Sequence, residues 1–451
     1  MRVSPTIAAN LALVLLAAVF ATNVYRAATQ GITVDEAFTY QHFVAPPLGE
    51  IMTTYDVNHH VLNSLLAKIS ISLFGVSELG LRIPSLLGGL IYLIAVRAIV
   101  FRLFGAGWAL LSFALLALNP FVLDYLSAAR GYGLALGFLA AALWFLLNRS
   151  WYVAGLLLGL TAGANLSFLY PIAGYLGMIA LRDANKKNID VLLSRVVVPL
   201  VLIPFALYVV PISRAVPQQF AYTLPSLFAS FREFIGLTFA RRPFPFEPAV
   251  ELVSGILTIV VLASSAAAGL WIFRKKASTL LDRFILLNCG GMVLCLAVTW
   301  LAHVVLHAGY PYSRTGVYWP VMLTLGGVAL VVRFASRGWL GWVAAALAGL
   351  TLAIFVYTFQ TDYYLEWRFD AGSKRIARVI WERSGHKPTR IACSSLLSHS
   401  LRFYGELYHA SWDIVLDPSV PGDYHVLLNT DYRPDLQLVY RDPVSQSVVM
   451  R

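Results

Sequence analysis

Ile7-Ala-Ala-Asn-Leu-Ala-Leu-Val-Leu-Leu-Ala-Ala-Val-Phe-Ala-Thr-Asn-Val-Tyr25 carries no charge, and the chain then runs through Arg26 into Gly31-Ile-Thr-Val-Asp35-Glu36-Ala37. About 20 consecutive apolar residues cross the hydrocarbon of a bilayer, so residues 7–25 read as a membrane span with two carboxylates just beyond its end. No convincing small-residue cleavage site follows the run, which leads straight into the acid pair. It therefore reads as a retained anchor and not as a signal peptide.

Working outward, further apolar runs lie near 83–104, 108–123, 132–147, 151–164, 168–182, 192–211, 251–273, 283–304, 316–334 and 340–359. The fold class is thus an α-helical polytopic membrane protein with about eleven transmembrane helices. Asn165-Leu-Ser167 and Pro171 divide the 151–182 stretch into two short spans. Composition agrees, because 59% hydrophobic and 13% charged residues lie outside the range of soluble domains. The net charge of +11 collects in short tracts capping the apolar runs, as cytoplasmic loops do, which argues against a nucleic-acid partner. Cys289, Cys295 and Cys393 form no metal-ligand or disulfide pattern.

Threading eleven spans with Arg2 inside puts Arg97, Arg102, Arg149, Arg182, Lys186, Lys187, Arg195, Arg274, Lys275, Lys276, Arg283, Arg333 and Arg337 on the cytoplasmic side. The other face then receives a first loop over 26–82, the Asp124 to Gly131 connection, a loop over 212–250, the turn from His307 to Thr315 and the C-terminus. Residues 1–359 form the membrane module. Residues 360–451 have soluble composition, with helical patterns at 373–384 and near 397–409 and apolar strands near 390–393, 413–416, 424–428 and 436–440. They read as a small extracytoplasmic α/β domain, with no motif that points to catalysis.

The polar residues left at the outer span ends carry the chemistry. Asp35 and Glu36 sit at the surface of the membrane, where partial desolvation raises a carboxyl pKa and makes it a better base for a hydroxyl. The competing reading is a helix start, with acids favoured in its first turn. Arg130, in Ala129-Arg130-Gly-Tyr132, and Arg314, in Tyr310-Pro-Tyr312-Ser-Arg314-Thr-Gly-Val-Tyr318, are arginines set among aromatics. A guanidinium offers a forked donor to phosphate. Asp56, Asn58, His59, His60 and Glu78 share the first loop. Asp56 and the two histidines are ligand types for a divalent metal, but adjacent helical histidines point about 100° apart, which favours hydrogen bonding to substrate; no metal site is assigned. Arg232, Glu233, Arg241 and Arg242 read as flanking the mouth of the site, or as drawn to anionic lipid.

Asp35-Glu36-Ala37, Asn58-His-His60-Val-Leu-Asn63, Phe74-Gly-Val-Ser-Glu78-Leu-Gly-Leu-Arg82-Ile-Pro84-Ser85 and Ala129-Arg130-Gly-Tyr132, in this order, resemble the N-terminal half of the dolichyl-phosphate-mannose protein mannosyltransferases and their bacterial aminoarabinose (lipid A) transferase relatives. The resemblance covers about residues 5–330. It implies the C-type glycosyltransferase fold, a polyprenyl-phosphate sugar donor used on the outer face of the plasma membrane, Asp35 as catalytic base and Arg130 near the donor phosphate. His60-Val-Leu-Asn-Ser departs from the His-Pro-Pro-Leu-Tyr-like run of bacterial members. Residues and resemblance together imply transfer to a lipid, glycan or protein hydroxyl with inversion, Tyr132 and the first-loop polar residues binding substrate. Two guanidiniums suffice for a monophosphate leaving group, so no cofactor is required, though a divalent metal stays open. The alternative is a polyprenyl-lipid flippase or a transporter with Asp35 as proton relay. Transporters, however, gather their ionisable groups near the midplane.

Overall fold

The computed structural model describes residues 3–182, 186–214, 223–239 and 246–451; Arg2, Arg241 and Arg242 fall outside them. Seven helices have the length and apolarity of membrane spans: α1 (Pro5–Thr29), α4 (Glu78–Leu103), α10 (Ile189–Ser213), α12 (Glu247–Lys275), α13 (Leu280–Leu306), α14 (Ser313–Ala335) and α15 (Trp339–Thr358). The remaining apolar runs form α5 (Ala106–Ala117), α7 (Tyr132–Leu147), α8 (Trp151–Ala164) and α9 (Leu169–Arg182). At 1.5 Å per residue these are only about 18–24 Å long, short of the ~30 Å hydrocarbon core. Their runs are broken where hydropathy alone sees continuity: Asn119 caps the short α6 (Pro120–Tyr125) through its side chain, and Asn165 begins a turn before α9.

Burial sorts the spans. α12 and α15 present Leu252, Ile256, Ile259, Trp342 and Leu350 to their surroundings, as lipid-facing helices do. α4 and α13 are largely enclosed. One close crossing is between α4 and α7, where a Cβ on Gly88 would stand 2.5 Å from the backbone of Gly133. Small residues at such a crossing let two backbones approach, and this approach brings Gly133, at the start of α7, against the backbone of Ser85.

The first loop is built rather than loose. It holds α2 (Val34–Thr39) and the apolar α3 (Val61–Phe74). Beyond the spans, α16 (Ser373–Arg383) and α17 (Ser398–Leu407) pack on a five-stranded sheet ordered β2-β1-β3-β5-β4. Its strands are β1 (Thr389–Cys393), β2 (Trp412–Val415), β3 (Tyr424–Leu427), β4 (Leu438–Arg441) and β5 (Val448–Met450). β1 pairs in parallel with β2 and β3; β5 runs antiparallel to β3 and β4. The fifth strand was not anticipated, because three residues are too short for a period-2 pattern.

One apolar cluster joins the sheet domain to the first loop, packing Ile376, Leu401 and Val426 with Ile32, Ala37 and Tyr40. Polar contacts reinforce it. The Tyr404 hydroxyl accepts from the Ile32 N–H at 2.8 Å and donates to Glu78 at 2.9 Å, Lys374 pairs with Glu78 at 2.9 Å, and Tyr40 donates to Glu406 at 2.6 Å. The Gln41 amide nitrogen donates to the His399 carbonyl at 2.9 Å, so its oxygen faces His399 Nδ1 at 2.7 Å. Glu78 therefore ties two domains together, an arrangement different from the substrate-binding place that its position in the first loop had led us to expect.

Candidate active site

Asp35 is the second residue of α2, which starts with a reciprocal cap: the Glu36 N–H donates to Thr33 Oγ1 at 3.2 Å and the Thr33 N–H donates to Glu36 Oε2 at 2.9 Å. This capping box fixes the two acids on different sides of one helical turn. Glu36 points inward. It is 1% exposed and also accepts from Arg82 Nε at 2.9 Å, Arg82 Nη2 at 2.6 Å and the Ala129 N–H at 2.7 Å. Burial pushes its carboxyl up, and Arg82 with the backbone donors outweighs burial and holds it below the usual range. A carboxylate so fully engaged has no lone pair for substrate, so the catalytic role considered for Glu36 gives way to a structural one. Arg82 also donates to the carbonyls of Ala27, Gln30 and Gly31, clamping the end of α1. Beside it, the buried Arg26 pairs with Asp124 at 2.5 Å.

Asp35 points the other way, toward groups drawn from three distant parts of the chain. Its Oδ2 accepts from Arg314 at 2.9 Å and from Trp367 Nε1 at 3.2 Å, with Arg130 Nη2 at 3.8 Å. Sequence reasoning expected desolvation to raise its pKa. Burial does push it up, but Arg130, Arg314 and the Trp367 N–H together hold the carboxyl below its ordinary value. Two guanidiniums at contact distance outweigh a partial loss of water.

The two arginines are not equivalent. Arg130 is 1% exposed and spends its donors on the chain: Nη1 on Thr39 Oγ1 at 3.0 Å and on the Asp35 carbonyl at 3.4 Å, Nη2 on Asn58 Oδ1 at 2.7 Å. Only Nε lacks an acceptor. Gly131 makes this placement feasible, since its φ of +63° turns the chain directly into α7 and a Cβ there would strike the Ala164 carbonyl and His60. Arg314 keeps 22% of its side chain exposed, lies over the Trp367 ring at 5.5 Å and pairs with Glu366 on its other side. Tyr125 donates to the same carboxylate.

Aromatic rings form one wall: His60 meets Tyr132 at 5.2 Å, Tyr132 meets Tyr125 at 5.2 Å, and Tyr125 meets Trp367 at 5.9 Å, all edge-on. Burial, followed by the charges of Arg130, Arg314 and His59, keeps His60 well below the usual imidazole range, so it is neutral. His59 is also lowered by burial, stacks on Phe43 and contacts the Thr54 carbonyl through Nδ1 at 2.9 Å. The Nε2 atoms of both histidines, both amide atoms of Asn63 and the Ser313 hydroxyl are buried without a partner in the chain. Such groups ordinarily find partners in water or ligand.

Of the other first-loop residues, Asp56 caps the Asn58 N–H at 2.7 Å within its own turn. Among the described residues no three His, Cys, Asp or Glu side chains converge as metal ligands. From the 212–250 loop, Glu233 reaches the site by accepting from the Ser313 N–H at 3.1 Å, while Arg232 is exposed. Glu366, Trp367 and Tyr125 were missed. A signal existed, since Asp362-Tyr-Tyr-Leu-Glu366-Trp directly follows the last span and so emerges on the same face as Asp35.

Neither a family model nor a curated protein matches the sequence. Among solved structures, ArnT from Cupriavidus metallidurans in the apo state aligns over 98% of this chain and 97% of its own, with TM-score 0.51 and 16% identity. The same protein bound to undecaprenyl phosphate aligns over 98% of both chains, with TM-score 0.52 and 14% identity. The chain therefore has the C-type glycosyltransferase fold expected from its motifs.

Proposed function

We propose that this chain is a membrane glycosyltransferase that moves a sugar from a polyprenyl phosphate to an extracytoplasmic hydroxyl. The observation that carries this is Asp35 held between Arg130 and Arg314 at the ends of spans, facing an aromatic wall. Its overall likeness to a protein solved with undecaprenyl phosphate supports a lipid-phosphate donor.

The resting ion pairs describe how the site works. With no phosphate bound, Asp35 and Glu366 neutralise Arg314. A donor phosphate competes for those N–H groups, and its own negative charge loosens the hold on Asp35 and raises the pKa of that carboxyl. Arrival of donor thus makes the base. Asp35 then takes the proton of the acceptor hydroxyl while that oxygen attacks the anomeric carbon opposite the phosphate, and the configuration inverts. The C–O bond to phosphate breaks with its electron pair on the leaving oxygen, where Arg314 and the free Arg130 Nε stabilise the charge. In this reading the acceptor is a protein, lipid or envelope glycan, and the site and residues 360–451 lie outside the plasma membrane, as the distribution of Lys and Arg supports.

Mass spectrometry of glycans and lipids from a strain lacking the protein, compared with its parent, tests the reading. One sugar should vanish from one class of molecule, and should stay absent when Asp35→Asn is supplied in its place. Unchanged glycans, or full restoration by Asp35→Asn, would overturn it.

A further inference from the structure

A second set of rings begins one turn along α2 from the base. Asp35 and Phe38 lie three positions apart on α2 and so share a face. The wider π turn Tyr40–Val44 brings His42 to the same side, its ring stacked on Phe38 at 4.2 Å. The sheet domain completes the group with His399 of α17, edge-on to Phe38 at 5.1 Å and to His42 at 5.8 Å. Phe38 and His399 are half-buried and His42 is exposed, so the three rings line an open approach. His399 and Asp35 stand near enough for each to feel the other's charge.

His399 is held in one orientation and one tautomer. The Gln41 amide donates to the His399 carbonyl at 2.9 Å, which turns its oxygen toward His399 Nδ1 at 2.7 Å. An amide oxygen only accepts, so Nδ1 carries the proton and Nε2 of the neutral ring keeps its lone pair. Burial, followed by the charges of His42 and Arg402, outweighs the pull of Asp35 and keeps the ring below the usual imidazole range. Among the described residues the His399 ring makes its hydrogen bond through Nδ1 alone. The result is a fixed acceptor nitrogen beside two stacked rings, close to the base.

Resting on the transfer reading above, we infer that Phe38, His42 and His399 form the acceptor subsite and that the attacking hydroxyl belongs to a sugar ring. The C–H face of a pyranose covers Phe38, one hydroxyl at its edge donates to His399 Nε2, and a neighbouring hydroxyl is thereby aimed at Asp35. Small-molecule sites combine aromatic walls with a few fixed polar groups in this way. A serine or threonine of a protein acceptor would offer Asp35 a hydroxyl, but no ring to cover Phe38 and no second hydroxyl for Nε2. The sheet domain, which carries no catalytic motif, supplies half of this subsite.

The test uses purified full-length protein, a radiolabelled polyprenyl-phosphate sugar in excess, and membranes of a strain lacking the protein as the source of acceptor. Wild type should saturate with added membrane, and the labelled product should survive exhaustive protease digestion. His399→Ala and Phe38→Ala should each raise the half-saturating amount of membrane about tenfold, the order of a lost hydrogen bond or ring contact. The maximal rate and the thermal protection by undecaprenyl phosphate should stay near wild type. His399→Gln returns an amide to the place of Nε2 and should recover part of the loss, which a merely structural role would not show. His42→Ala changes an exposed side chain, so it folds, and should raise half-saturation by about threefold; it decides the matter if either of the other alanine variants loses the undecaprenyl phosphate protection. No transfer by wild type would overturn the transfer reading and the subsite with it. With wild type active, label released by protease, or unchanged half-saturation in the alanine variants, would overturn the subsite alone.

Discussion

The two ends of this helical module treat arginine in opposite ways. At the Asp35 end, Arg26 is answered by Asp124, Arg82 by Glu36, and Arg314 by both Asp35 and Glu366. At the other end Arg149 is exposed, and the buried Nε of Arg283 has no acceptor among the described residues. Burial accounts for the contrast. Arg26 and Arg82 are fully enclosed, and an enclosed charge persists only when paired. Arg149 is exposed and needs no internal partner. Within the Asp35 end there is a second gradation. Arg82 and Glu36 saturate one another, whereas Arg314 and Asp35 keep part of their surface open, which is what a group that must exchange partners requires.

The contrast collapses if the two ends lie on one side of the membrane, and this is the largest, all-or-none test. Lys387→Cys, exposed in the sheet domain, and Arg274→Cys, exposed at the far end, should be labelled oppositely by a membrane-impermeant thiol reagent on intact spheroplasts. The expected result is labelling of Lys387→Cys without lysis and of Arg274→Cys only after it. Cys393, the native thiol of that domain, should stay silent: it is fully buried, and burial pushes its pKa up to about 11.

Next in size is the separation of the acid pair. Asp35→Asn should cut transfer from a radiolabelled polyprenyl-phosphate sugar by at least about 100-fold, as loss of a general base does, while the thermal midpoint barely moves. Glu36→Gln leaves Arg82 buried without its charge partner, which costs about 3–5 kcal/mol of stability. It should lower the midpoint sharply, yet leave the surviving folded fraction active. The reverse pattern would exchange the roles of the two acids.

The arginines should divide in the same manner with a smaller effect. Arg314→Ala removes an accessible charge-assisted contact, worth about 1.5–3 kcal/mol, and protection by undecaprenyl phosphate against thermal unfolding should weaken by about tenfold to a hundredfold. Arg314→Lys should recover part of it, because the charge stays and the fork is lost. Arg130→Ala should act more through stability, as its donors hold Thr39 and Asn58. Equal loss of ligand protection in both, with unchanged stability, would mean that burial does not rank them.

These contrasts mark what the sequence could reveal. Seven of the spans were readable from hydropathy, and Thr33-x-x-Glu36 already spelled a capping box. Asp35, Arg130 and Arg314 were found because a charge at a span end stands out against apolar sequence. Glu366 and Trp367 were not, since at the start of a soluble domain an acid and a tryptophan are ordinary. Only folding brings them 332 positions back along the chain to Asp35. Neither the partner of Glu36 nor the sign of the Asp35 shift could be read, because both depend on which arginine lies on which side of α2.

The smallest predicted effect concerns the neutral histidines beside the arginines. His60 and His59 both titrate below the ordinary imidazole value of about 6.5 in the folded chain. An unfolded imidazole gains its proton near pH 6.5, while the folded one resists it. Stability is therefore full above about pH 6.5 and falls as the pH drops from there toward the folded values. For a single histidine the loss approaches about 1.4 kcal/mol per pH unit. The thermal midpoint of the wild type should decline between pH 7.5 and 5.5, and His60→Gln should flatten that decline more than His59→Gln, because only His60 is lowered by Arg130 and Arg314 as well as by burial. Undecaprenyl phosphate offers negative charge to those arginines, so adding it should itself shrink the slope in wild type and leave His60→Gln unaffected. A slope indifferent to both the substitution and the lipid would place the titrating group away from the Asp35 site.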